Sequence, residues 1–200
     1  MNQARAAQGK NKANSLWFWG AGTKPSLENF EKKTGKKGAM ISAVDLLKGI
    51  AKGAGMAVLD VPGANGGLDT DYAGKAKAAT KAVLEDGFDF VYIHVEAPDE
   101  MGHQGSIPKK VQSIERIDEL VGMVKKEMDA SQEAYRLLIT PDHPTPIFCR
   151  THTVTPVPWM IYDSTCQRKA LGAYSEKEAQ ATGLYQAEGH RLMEQFLCAK

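Results

Sequence analysis

Phe88-Asp89-Phe90-Val91-Tyr92-Ile93-His94-Val95 is an apolar run broken only by Asp89 and His94, and it follows the turn pair Asp86-Gly87. Aromatic and β-branched side chains occupy successive positions, so both faces of an extended segment are apolar. That pattern predicts a strand covered on both sides and central in its sheet. The stretch before it, residues 71–84, is rich in Ala and Lys and predicts a helix. Beyond it, Val111, Ile114, Ile117, Val121, Val124 and Met128 recur three and four apart across residues 108–128, an apolar stripe about six turns long. Residues 135–140 then give another buried strand. Strand, long helix and strand in this order predict that 88–95 and 135–140 are neighbours or near-neighbours in one sheet, joined by a right-handed crossover.

The alternation continues outward. Leu16-Trp17-Phe18-Trp19, closed by Gly20-Ala21-Gly22, predicts a doubly buried strand ending in a tight turn. A short strand is expected at 39–41, after which Ser42 can cap a helix carrying Val44, Leu46, Leu47, Ile50 and Ala51. Residues 57–61 are strand-like, residues 62–67 are turn chemistry, 158–162 gives a further strand, and 189–198 a terminal helix. The fold class expected is α/β, a largely parallel sheet flanked by helices. Residues 1–14 are polar, with Arg5, Lys10 and Lys12, and suit either a flexible leader or the remnant of a preceding segment. Residues 15–200 form the domain proper.

With 25 Lys and Arg against 24 Asp and Glu, the chain offers no broad field to hold nucleic acid or an anionic membrane. Its apolar stretches are far shorter than the ~20 residues that span a bilayer. Cys149, Cys166 and Cys198 show no metal or redox spacing and no signal sequence precedes them, which points to a reducing cytoplasm.

Three polar clusters follow or lie between the expected strands. Pro98-Asp99-Glu100-Met101-Gly102-His103 comes after 88–95, Pro141-Asp142-His143-Pro144 after 135–140, and Thr151-His152-Thr153 shortly before 158–162. In an open α/β sheet, ligands gather beyond the carboxyl ends of the strands. Asp and His together offer oxygen and imidazole nitrogen to a divalent ion. Asp99 and His103, four apart, share a face if that turn is helical. A helix cap beside a surface imidazole would leave the same trace, so spacing keeps both readings open. His94 lies in the strand region and suits a structural role; His190 sits on the terminal helix.

The strings Val95-Glu96-Ala97-Pro98-Asp99-Glu100-Met101-Gly102-His103, Leu138-Ile139-Thr140-Pro141-Asp142-His143-Pro144-Thr145-Pro146 and Arg150-Thr151-His152-Thr153 closely resemble the archaeal-type cofactor-independent phosphoglycerate mutases. Leu16-Trp17-Phe18-Trp19-Gly20-Ala21-Gly22-Thr23-Lys24-Pro25 and Ser42-Ala43-Val44-Asp45-Leu46-Leu47-Lys48-Gly49 are similar to the same family, which has an alkaline phosphatase-like fold.

The resemblance covers nearly the whole chain and implies that it is the carboxyl-terminal part of such an enzyme, incomplete at its amino terminus. It implies Asp99, His103 and His152 as ligands of one metal and Asp142 and His143 as ligands of a second, the ions being Mn, Mg, Co or Zn. The family's nucleophilic Ser and a further Asp ligand have no match here, so at most one tightly held ion and no mutase turnover are expected of these 200 residues alone. Phosphoglycerate is the implied substrate. Lys24, in a loop small enough to approach a ligand, is a candidate contact to its carboxylate or phosphate, the alternative being a solvated loop lysine. Relatives acting on homoserine share the metal motifs, and a non-catalytic metal-binding fragment is the third reading.

Overall fold

A computed structural model describes residues 1–18, 20–166 and 172–198. The chain opens with α1 (Asn2–Ala7), which buries nothing, and after an irregular stretch enters α2 (Phe30–Thr34). Asn29 caps α2 by accepting from the Lys32 amide, and Gly35 ends it in the left-handed region at φ 68°. β1 (Gly38–Ile41) follows, then α3 (Asp45–Gly53) and β2 (Ala57–Val58). α4 (Tyr72–Leu84) starts where Asp71 accepts from the Gly74 amide. β3 (Phe90–Ile93), α5 (Ala97–His103), α6 (Ile107–Ser131) and β4 (Arg136–Ile139) succeed one another in the order the periodicities indicate. β5 (Met160–Asp163), α7 (Glu176–Ala181), a 3-10 turn (Gly189–Arg191) and α8 (Leu192–Cys198) complete the described chain.

β1 pairs in parallel with β2 on one side and β3 on the other, Ile41 standing opposite Ile93. Helices α4 and α6 pack together, and Tyr72, Ala76, Leu120, Val124 and Met128 form the buried core between them and the strands. The architecture is therefore α/β, a parallel sheet flanked by helices. Among the described residues no helix is long and apolar enough to cross a membrane.

Several expectations are corrected. Leu16, Trp17 and Phe18 are not a buried strand; they are 84%, 88% and 89% exposed in irregular backbone. A strand of that length is stable only when paired, and among the described residues none pairs with it. Trp19 lies outside the described residues. Helix α3 is capped at Val44 with no side-chain bond; the Ser42 hydroxyl instead accepts from the Val44 amide at 3.0 Å. The strand expected over 57–61 is two residues long. β3 is an edge of its sheet, with β1 in the centre.

The expectation that 88–95 and 135–140 share a sheet fails as well. Among the described residues β4 pairs only with β5, antiparallel, and these two form a sheet of their own. Both Ile93 of β3 and Leu137 of β4 pack on the α4–α6 core, yet no backbone ladder joins them. Apolar packing is non-directional and brings both strands onto one helix layer, whereas a ladder requires their edges to stand about 4.8 Å apart.

Candidate metal centre

The site is assembled from the ends of β3 and β4. After Ile93 the chain turns into α5, where Pro98 falls in the first turn and Asp99 and Glu100 complement the positive end of the helix. Because α5 is helical, Asp99 and His103 lie on one face, with Nε2 of His103 3.3 Å from Oδ2 of Asp99. The loop after β4 brings Asp142 and His143, and the same loop continues to His152. Nε2 of His152 is 3.3 Å from Oδ1 of Asp99 and 3.2 Å from Nε2 of His103.

The three residues form a triangle with similar separations, His103 facing one carboxylate oxygen of Asp99 and His152 the other. Ligand atoms about 2.1 Å from a tetrahedral ion are about 3.4 Å apart, so these residues stand at a spacing suited to donors around one cation. His143 adjoins it: its ring lies 3.8 Å from that of His152, and donor atoms of Asp99, His143 and His152 all fall within 4.8 Å of one another. Asp142 is bound to this group through His143, its Oδ2 3.3 Å from Nε2. The five residues singled out from the sequence thus converge at one end of the strands, with His143 closer to Asp99 and His152 than a division into separate triad and pair suggests.

Surrounding contacts orient the donors. Nδ1 of His103 lies 2.9 Å from the carbonyl oxygen of Arg150, to which it donates. The proton therefore sits on Nδ1, and Nε2 faces the triangle as a lone-pair donor. Arg150 holds that carbonyl in place from the left-handed region, φ 53°. The buried Thr145 hydroxyl donates to Oδ1 of Asp99 and is 3.4 Å from Nδ1 of His143. Lys110 donates to the Thr145 carbonyl at 2.6 Å. A Cβ at Gly102 would come within 2.4 Å of that carbonyl, so only glycine lets α5 approach the loop this closely.

Thr145, Lys110, Arg150 and Gly102 were not assigned a role from the sequence. Thr145, two positions beyond His143, was within the informative string; nothing in the pattern distinguishes a hydroxyl that orients a ligand from one that closes a turn.

Burial disfavours the charged forms of several groups around the site. Burial raises the Glu96 carboxyl above its usual range, and the neighbouring carboxylates Glu100 and Asp99 raise it further. Beneath the site Lys75 is fully buried, donates to the His94 carbonyl at 3.0 Å, and has its pKa lowered by burial, with Glu96 opposing. His94 is structural in its contacts: its amide donates to Ile41, and its Nδ1 is 3.3 Å from the Ser42 hydroxyl. Burial lowers its pKa, partly offset by Asp142 and Asp99 and reinforced by Lys75. His190 is exposed in the 3-10 turn, and Lys24 is exposed in irregular backbone.

Residues 5–198 match the sequence pattern of the metalloenzyme superfamily. The chain belongs to that superfamily. It is 47% identical over 184 residues to a 2,3-bisphosphoglycerate-independent phosphoglycerate mutase of Methanosarcina acetivorans, covering 92% of this chain and 46% of that protein. A mutase of the same name from Methanothrix thermoacetophila is 45% identical over 96% of this chain and 49% of its own length. This metalloenzyme chain therefore spans about half the length of the relatives it matches. A solved protein from Pyrococcus horikoshii superposes with a TM-score of 0.76 at 32% identity, over 90% of this chain and 46% of that one. The cofactor-independent phosphoglycerate mutase of Thermoplasma acidophilum, at 24% identity and a TM-score of 0.65 over 98% of this chain and 45% of that one, shares the fold.

Proposed function

We propose that this chain is the metal-binding portion of a cofactor-independent phosphoglycerate mutase, which interconverts 3-phosphoglycerate and 2-phosphoglycerate in glycolysis and gluconeogenesis. The observation that carries the reading is the triangle of Asp99, His103 and His152, with His143 against it, in a chain whose relatives bear that name. Two imidazoles and a carboxylate suit a divalent ion of the Mn, Co or Zn kind and leave a position open.

In this reading Asp99, His103 and His152 hold one divalent ion, while Asp142 and His143 contribute to a second. The ions, when bound, neutralise the phosphoryl oxygens and favour ionisation of the reacting hydroxyl. The chain's own residues position charge. Thr145 donates to Asp99 and so orients its carboxylate, and Arg150 fixes His103 in the tautomer that exposes Nε2. In this reading the hydroxyl that carries phosphate between the two substrate positions belongs to a serine that no motif in this chain matches. Lys24 supplies a cation toward the substrate carboxylate or phosphate in the assembled enzyme, acting in a cytoplasmic pathway.

The test is calorimetric titration with Mn2+ beside a coupled mutase assay. One tight site per chain, lost in Asp99→Ala, and no turnover are expected. Two equivalent tight sites, or turnover abolished by Asp142→Ala, would overturn the division between what this chain supplies and what it lacks.

A further inference from the structure

Lys110 stands in the first turn of α6, where the positive end of the helix dipole disfavours a cation and no acidic residue of that turn offsets it. The side chain is half-buried, and burial lowers the pKa of the ammonium while Asp99 opposes the shift. Among the described residues no carboxylate is in ion-pair contact with it; its ammonium donates to the Thr145 carbonyl at 2.6 Å. Helix position, burial and the lack of a counter-ion all weigh against a lysine here. A residue that breaks several local rules at once marks a place where the fold serves function.

What the ammonium holds is specific. Thr145 is 4% exposed, and its hydroxyl donates to Oδ1 of Asp99 while its carbonyl accepts from Lys110. Thr145 lies between Pro144 and Pro146, and a residue that precedes proline is confined to a narrow range of backbone angles. Carbonyl and side chain therefore keep a fixed relation, so pinning the one aims the other. The contact is made beside Gly102 of α5. A Cβ there would stand 2.9 Å from Nζ of Lys110 and 3.0 Å from Cγ2 of Thr145, so the bare backbone leaves room for both.

We propose that Lys110 is a positioning residue of the metal centre, holding the Thr145 carbonyl so that the Thr145 hydroxyl meets Asp99; this role rests on the proposed metal function. Lys110 touches neither ion nor ligand. It acts through Thr145 alone.

A positive charge near the ion has a second effect, of opposite sign. The ammonium repels a dication, so its removal strengthens metal binding by a general electrostatic route, while release of Thr145 weakens it. A double-mutant cycle separates the two. Repulsion is the same whether or not residue 145 carries a hydroxyl, whereas positioning is felt only when it does.

The experiment is Mn2+ titration calorimetry on the 200-residue chain, with Lys110→Met placed in the native and in the Thr145→Val background. Circular dichroism checks that each variant folds. Lys110→Met is expected to weaken binding by a factor at least about 5-fold larger in the native background than in Thr145→Val, as for residues that act through one another. Lys110→Gln, too short to reach the Thr145 carbonyl, should give the same coupling and serves if Lys110→Met does not fold.

Equal factors in the two backgrounds, or a larger loss beside Thr145→Val, would overturn the proposal and leave Lys110 an electrostatic or packing part only. Failure of both Lys110 variants to fold would overturn it too, since the residue would then hold up the fold and not the site. A native chain that binds no Mn2+ would overturn the metal reading and this role with it. The native titration therefore tells that failure apart from the others.

Discussion

β1 and β4 are both four-residue strands, and their fates differ. Gly38, Ala39, Met40 and Ile41 are all buried, whereas Arg136, Leu137, Leu138 and Ile139 are all only partly so. The bulkier and more apolar sequence after Arg136 is the less covered. Burial follows neighbours: β1 has a strand on each side and β4 has one. Strand hydrophobicity therefore reports the surroundings a strand is suited to, and topology decides whether it has them.

Mutation should break that symmetry most clearly at paired positions. Ile41→Ala, at a site with no exposed surface, is expected to cost about 2–5 kcal/mol by leaving a cavity. Leu138→Ala should cost about 1 kcal/mol or less, since a half-covered site has less to lose. Thermal or urea unfolding of both variants checks the ratio; equal losses would show that β4 is as well packed as β1.

The next effect lies at the site beyond the end of β4. Thr145→Val removes the hydroxyl that donates to Asp99 while keeping its shape, and Mn2+ affinity should fall about 10–100-fold, as for other groups that orient a ligand. Calorimetry measures it, and an unchanged affinity would reduce Thr145 to a packing role.

A smaller effect separates the strand ends by pH. His94, beyond β3, has its pKa lowered by burial, so the unfolded chain takes up its proton before the folded chain does. Stability from this group is present above the ordinary histidine value of about 6.5 and declines as pH falls below it. Asp142 and Asp99 moderate the decline and Lys75 steepens it. Denaturation of metal-free protein between pH 7.5 and 5 should show a flatter profile for His94→Gln than for the native chain.

The smallest change is expected in the exposed amino-terminal segment. Trp17→Ser should move stability by no more than about 0.5 kcal/mol, because the side chain is 88% exposed. A larger loss in a melting experiment would place Trp17 in a contact that the folded chain makes in solution.

The clustering of the candidate ligands was legible because each falls at a particular element end. Asp99 and His103 share a helical face, and Asp142 and His143 follow a strand whose apolar run is unmistakable. The helices α4 and α6 were legible for the same local reason, Ala and Lys content in the first and a 3.6-residue apolar stripe in the second. Thr145, Lys110 and Gly102 were not, since what makes each matter is a contact 35–46 residues away, to Asp99 or between α5 and the loop after β4.

By itself, then, the sequence determined which segments are strands and helices along most of the core, and which donors lie at strand ends, because periodicity and turn chemistry act over a few residues. Only the tertiary structure decided that β3 is an edge, that β4 pairs with β5, that Leu16–Trp17–Phe18 stays in solvent, and that the His143 ring lies tilted against that of His152. A strand's partner is chosen by which backbone edge stands about 4.8 Å away, and no pattern of side chains along one segment specifies what other segments are there to meet it.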